Sequence, residues 1–135
     1  MTLDILINID VDDLDRATRF YTAALPLRVA RRLGGGAVEL LGGSAPIYLL
    51  AKAEGSEGAP GAPRSYRRHW TPVHLDFVVP DLDAAVDRAV AAGATLEAPT
   101  VARAWGRIAM FADPFGHGFC LLEFSEQGYA AIANT

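Results

Sequence analysis

The feature that most constrains this chain is that it is written twice. "ILINIDVDDLDRA", Ile5 to Ala17, aligns with "VHLDFVVPDLDAA", Val73 to Ala85, at one constant offset, with identities at Val11/Val79, Asp13/Asp81, Leu14/Leu82, Asp15/Asp83 and Ala17/Ala85. Further on, "IYLLA", Ile47 to Ala51, matches "FCLLE", Phe119 to Glu123, at a slightly longer offset, so the second copy carries a small insertion. A unit of about 60 residues buries too little apolar surface to be comfortable alone, so the economical reading is two half-units in one domain of 135 residues.

Each copy opens on a strand signal. Ile5, Ile7, Ile9 and Val11 alternate with Leu6, Asn8 and Asp10, and Leu75, Phe77 and Val79 alternate with His74, Asp76 and Val78. A helix follows each, with Asp13 and Asp81 as N-caps whose carboxylates accept from free amides of the first turn, and with Pro26 and Gly93 as stops. Leu14, Ala17, Tyr21, Ala24 and Leu25 mark the apolar helical face of the first copy, as Leu82, Ala85, Val86 and Ala89 do in the second. Three strands complete each copy, over 27–33, 37–41 and 46–52, then over 95–102, 107–112 and 118–125. The pattern predicts an α+β fold of two tandem βαβββ modules, 3–52 and 72–125. Between them lies a Gly/Pro/Ser-rich linker, 53–71, and after them a tail, 126–135, with one apolar patch, "YAAIA".

A net charge of −4 argues against a nucleic-acid partner, and no run approaches the roughly 20 apolar residues of a membrane span. The opening "MTLDILINID" has an acid where a secretory signal has a basic region, and the single cysteine cannot form an internal disulfide; both lead to the expectation of a cytoplasmic protein. "RSYRRHW", Arg64 to Trp70, reads either as a solvated loop or as an anion site.

The repeated "DLD-x-A" after the first strand and "DPFGHGFCLLEF" at the last hairpin make the chain resemble the vicinal oxygen chelate superfamily, which includes glyoxalases, bleomycin-resistance proteins, fosfomycin-modifying enzymes and extradiol dioxygenases. The resemblance spans Leu3 to Ser125. It implies a curved, cup-like mixed sheet with helices outside and a small molecule inside. In metal-using members, one ligand comes from the first strand and one from the last strand of each module, which here selects Leu6 and His74, then Tyr48 and Cys120. Leu6 cannot ligate and a neutral phenol is a poor ligand, so the expectation is no metal and no cofactor, with His74 a polar residue of the cup. The alternative keeps a divalent metal on His74, Asp76 and Cys120 and makes the chain a lyase, isomerase or dioxygenase.

Strand parity completes the expected cup. Arg107 beneath a helix would be buried without water, whereas Ile108 and Met110 suit that place, so Trp105, Arg107, Ala109 and Phe111 are assigned to the cup beside Cys120, Leu122 and Phe124. The expected ligand contacts are therefore Tyr48, His74, Asp76, Trp105, Arg107, Phe111 and Cys120, with His117 a turn residue. The resulting reading is a metal-independent protein that binds an aromatic or polar organic ligand and forms a homodimer, by resemblance and to cover the tail patch.

Overall fold

A computed structural model describes residues 1–134. The chain divides into two compact units, Met1–Arg67 and a second that begins at Arg68. In the first, β1 (Ile7–Val11) leads to α1 (Leu14–Ala24), then β2 (Arg28–Leu33), β3 (Ala37–Leu41) and β4 (Ile47–Ala51), in the sheet order β1-β4-β3-β2. β1 runs parallel to β4 while the other pairs are antiparallel, so the sheet is mixed. The Asp13 carboxylate accepts from the Arg16 amide at the start of α1. Ala17, Phe20, Tyr21 and Ala24 form its buried stripe, and in the sheet Val11, Val38, Leu40, Ile47 and Leu49 are buried with them. Alternation then puts Asn8, Asp10, Glu39, Tyr48 and Leu50 on the opposite, open face.

The linker expectation is corrected in part. Residues 53–67 belong to the first unit and contain a two-stranded hairpin, β5 (Glu57–Ala59) and β6 (Ala62–Pro63), with Gly61 supplying the positive φ of its turn. Arg64 binds the hairpin to the sheet, bonding Asp10 Oδ2 at 2.7 Å, Ser56 Oγ and the Glu57 carbonyl. The Tyr66 hydroxyl donates to the Lys52 carbonyl. Gly and Pro here serve a structured turn rather than a free tether.

The second unit repeats the plan: β7 (Leu75–Val78), α2 (Leu82–Ala92), β8 (Thr95–Leu96), β9 (Val101–Arg103), β10 (Gly106–Ala112) and β11 (Gly118–Phe124), in the order β7-β11-β10 with β8 and β9 both paired to β10. The single strand expected over 95–102 is interrupted, as suits Pro99, which has no N–H to donate to β10. Asp81 caps α2 by accepting from the Ala84 amide, and Gly93 ends it at φ 117°. The tail forms a short 3-10 turn, Gly128–Ala131. Among the described residues no helix is long and apolar enough to cross a membrane.

The parity expectation for β10 is overturned. Arg107 lies opposite Glu123, Ala109 opposite Leu121 and Phe111 opposite Phe119, and these pairs share the face that α2 covers. Ala109, Phe111 and Leu121 are essentially inaccessible, together with Leu82 and Ala89 of the helix. Arg107 tolerates this face because it sits at the helix start: its guanidinium bonds Asp83 Oδ1 of α2 at 3.1 Å and Glu123 Oε2 at 3.1 Å. Glu123 turns its other oxygen to the Leu82 amide, a further cap on α2. The face of this sheet away from α2, called open below, therefore carries Ile108, Met110, Cys120 and Leu122, of which Cys120 and Leu122 are buried, joined by Asp76 and Val78 of β7.

Candidate functional site

On the open face of the second unit, the parallel register sets Asp76 beside Cys120, and the antiparallel register sets Cys120 beside Met110. His74 lies two residues before Asp76 and so on the same side, with its Nε2 3.4 Å from Asp76 Oδ1. One donor atom each from His74, Asp76 and Cys120 fall within 4.8 Å of one another. His74 and Asp76 are partly open to solvent, whereas Cys120 is buried. Burial first, and the neighbouring Asp76 carboxylate second, push the Cys120 thiol up to about 11, so at neutral pH it is a protonated thiol rather than a nucleophile. The Trp70 ring stands 4.9 Å from the His74 ring at a 43° tilt and remains 53% exposed.

On the first unit's open face, the position equivalent to Cys120 is Tyr48, which lies across from Glu39 in the β3–β4 register. The Tyr48 hydroxyl donates to Glu39 Oε2 at 2.8 Å. Arg31 grips the same carboxylate with both prongs, Nε to Oε1 and Nη2 to Oε2, each at 2.7 Å. Glu39 is only 5% exposed and is held down to about 2, chiefly by the Arg31 hydrogen bond and then by Tyr48. The same contacts push Arg31 up and, through the Glu39 hydrogen bond and burial, raise Tyr48 above the usual phenol range. The phenol proton is thus committed, and Leu6, the remaining member of the expected ligand positions, offers only carbon. Within the first unit, Leu6 and Tyr48 therefore supply no metal ligand.

The other expected contacts lie elsewhere. Phe111 stacks on Phe119 at 5.4 Å beneath α2, and Arg107 is a strut between α2 and β11. Trp105 belongs to an aromatic trio with Phe124 and Tyr129, its ring 5.4 Å from the Tyr129 ring, and so anchors the tail. Within "RSYRRHW", Arg64 and Arg68 are also struts, to Asp10 and Glu97, which leaves neither as an open anion hook. The Arg68 guanidinium lies directly on the backbone of Gly118, where a Cβ would stand 2.7 Å from Nη2. His117 donates its backbone N–H to Asp113 Oδ1, as a turn residue does.

Sequence reasoning missed Trp70, Arg31 and Glu39. A signal existed for Glu39, the one acid inside the apolar strand "AVELL", since a carboxylate there requires partners.

A family model described as a glyoxalase-like domain matches residues 6–122, most of the chain. The chain belongs to the glyoxalase-like domain family. Solved structures of glyoxalase-like proteins share its fold. The fosfomycin resistance protein FosX of Listeria monocytogenes matches at TM-score 0.71 and 20% identity, over 94% of this chain and 97% of its own. TnmS3, an antibiotic binding protein from a Streptomyces species, matches at TM-score 0.66 and 24% identity, over 93% and 98%. A lactoylglutathione lyase from Agrobacterium tumefaciens matches at TM-score 0.64 and 21% identity, over 91% and 94%. No curated protein matches this glyoxalase-like sequence.

Proposed function

We propose that this glyoxalase-like protein binds a small organic molecule with aromatic and polar parts, without a divalent metal, using residues on the sheet face opposite each unit's helix. The observation that carries the reading is the Tyr48–Glu39–Arg31 chain, which commits the phenol to a carboxylate at one of the positions that the superfamily resemblance selects for a metal ligand. On the second unit, Trp70 offers an exposed ring face, His74 and Asp76 offer polar contacts, and Met110 and Val78 add exposed apolar surface. That an antibiotic binding protein uses the same fold supports a binding role. The test is a ligand screen by Trp fluorescence on chelator-treated protein: Trp70→Ala weakens binding and Trp105→Ala spares it. Hits whose affinity depends on added divalent metal would sink the reading.

The convergence of His74, Asp76 and Cys120 favours a second reading, a divalent-metal enzyme of the same superfamily. Metal analysis of protein purified without an affinity tag separates the two. One equivalent of zinc, nickel or iron, lost in Asp76→Ala, supports the second. Exposed apolar side chains at Leu3, Ile5 and Ile132 support a homodimer, which a monomer mass in light scattering would refute.

A further inference from the structure

A phenol is ordinarily ambivalent: it donates its proton to a ligand acceptor or accepts from a ligand donor. Tyr48 lacks that freedom. Its proton is aimed at Glu39 Oε2, an ionised acceptor fixed by two charge-assisted bonds from Arg31. Glu39 is buried and held ionised far below neutral pH, so no competing ligand acceptor, itself less charged and arriving with a desolvation cost, displaces it. The Arg31 guanidinium also acts as a hydrogen-bond donor on the Tyr48 oxygen, so with its proton given to Glu39 the phenol has acceptor capacity alone to offer, part of it already shared with Arg31. Tyr48 is part-buried in the central strand β4, and the Arg31 side chain beside it is 66% exposed, so this part of the face is reachable from solvent. The corresponding place on the second unit holds Met110 opposite Cys120, where no such relay exists.

We propose that Tyr48, set by Arg31 and Glu39, is a donor-selecting subsite: it takes an O–H or N–H group of a small aromatic ligand and discriminates against the same ligand when that group is alkylated. The inference rests on the small-molecule-binding reading and names the chemistry one position of it selects. Glu39 and Arg31 are positioning residues, and of the three it is Tyr48 that touches the ligand.

The experiment uses the full chain labelled with carbon-13 in its aromatic rings, titrated with a matched pair of probes, 4-methylphenol and 4-methylanisole, which differ by one O-methyl group. The Tyr48 Cζ resonance is expected to shift saturably with the phenol, at an affinity about fivefold or more above that for the anisole, the scale of one net hydrogen bond. Tyr48→Phe should bring the two probes to equal affinity, read on the resonances of the ring that the substitution introduces. Glu39→Ala keeps the phenol but frees its proton, so the anisole should gain and the preference shrink; a purely structural role of Glu39 would change stability without changing the ratio. Equal affinities of both probes in the wild type, or a preference that survives Tyr48→Phe, overturn the inference. Saturable shifts at Trp70 or His74 with none at Tyr48 overturn it while leaving the proposed function standing. Shifts nowhere in the chain count against both.

Discussion

Replacing Phe111 with alanine tests which face of β10 meets the helix. The ring is 1% exposed and stacks on Phe119 at a 12° interplanar angle, with Ala109 and Leu121 equally buried around it. Removing a fully buried phenyl costs about 3–5 kcal/mol in transfer and cavity terms, and the lost ring pair places this site toward the upper part of that range. For a chain of this size, that is a drop in melting temperature of roughly 10–20 °C. Its neighbour Met110 is 37% exposed on the other face, and Met110→Ala should cost about 1 kcal/mol or less. Urea denaturation of the two variants beside the wild type measures both. If Met110→Ala proves as damaging as Phe111→Ala, the faces are exchanged, Arg107 and Phe111 return to the ligand side, and the site drawn on Trp70, His74 and Asp76 fails with the register.

Gly118→Ala should push the Arg68 guanidinium off the sheet and loosen its grip on Glu97, seen as faster amide exchange over 68–74 and at Glu97; unchanged exchange would show that the strap does not depend on that contact. Asp81→Ala removes the side-chain cap on α2 and should cost about 1 kcal/mol, with Glu123 still holding the Leu82 amide, so a cost near zero would mean that Glu123 alone suffices. In chelator-treated protein the Cys120 thiol is protonated in both folded and unfolded chains below pH 9.0, and between there and about 11 only the unfolded thiol ionises, so stability should fall with rising pH across that window and Cys120→Ala should lessen the fall. Glu39 acts in the opposite sense: its contribution is full above its ordinary value of 4.5 and is lost as pH falls toward about 2, so Glu39→Gln should flatten acid unfolding.

The order of elements was legible because its signals are local. The Asp13 and Asp81 caps, the Pro26 and Gly93 stops and the strand alternation each act within a few residues, and the repeat states each of them twice. The face of β10 was not, because Ile108, Ala109, Met110 and Phe111 are apolar on both sides, and the choice was made on Arg107 alone. The partners that make Arg107 acceptable beneath a helix, Asp83 and Glu123, lie far away in the chain, and nothing at Arg107 announces them. Trp70 was hidden by composition, standing at the end of a stretch that reads as a tether yet folds against the His74 ring. Leu6 and Tyr48 were legible as poor ligands, but the commitment of the Tyr48 proton required Glu39 and Arg31 to be seen on the adjoining strands.

The parallel pairing of β1 with β4, and of β7 with β11, also governs how the chain acquires its shape during synthesis. In both units the first strand has its neighbour in the last, so Ile7 waits for Ile47 and Leu75 for Phe119. Neither sheet can nucleate at its own beginning; a hairpin of the later strands must form first and then recruit the earlier one across the intervening helix, a non-local closure that slows folding. On a ribosome, the first unit meets this condition while much of the second is still unmade, so it can close before competing copies of the same motif emerge. That vectorial head start guards a duplicated sequence against exchanging its first strands, whose shared "DLD-x-A" continuations would otherwise make either a plausible partner for either sheet.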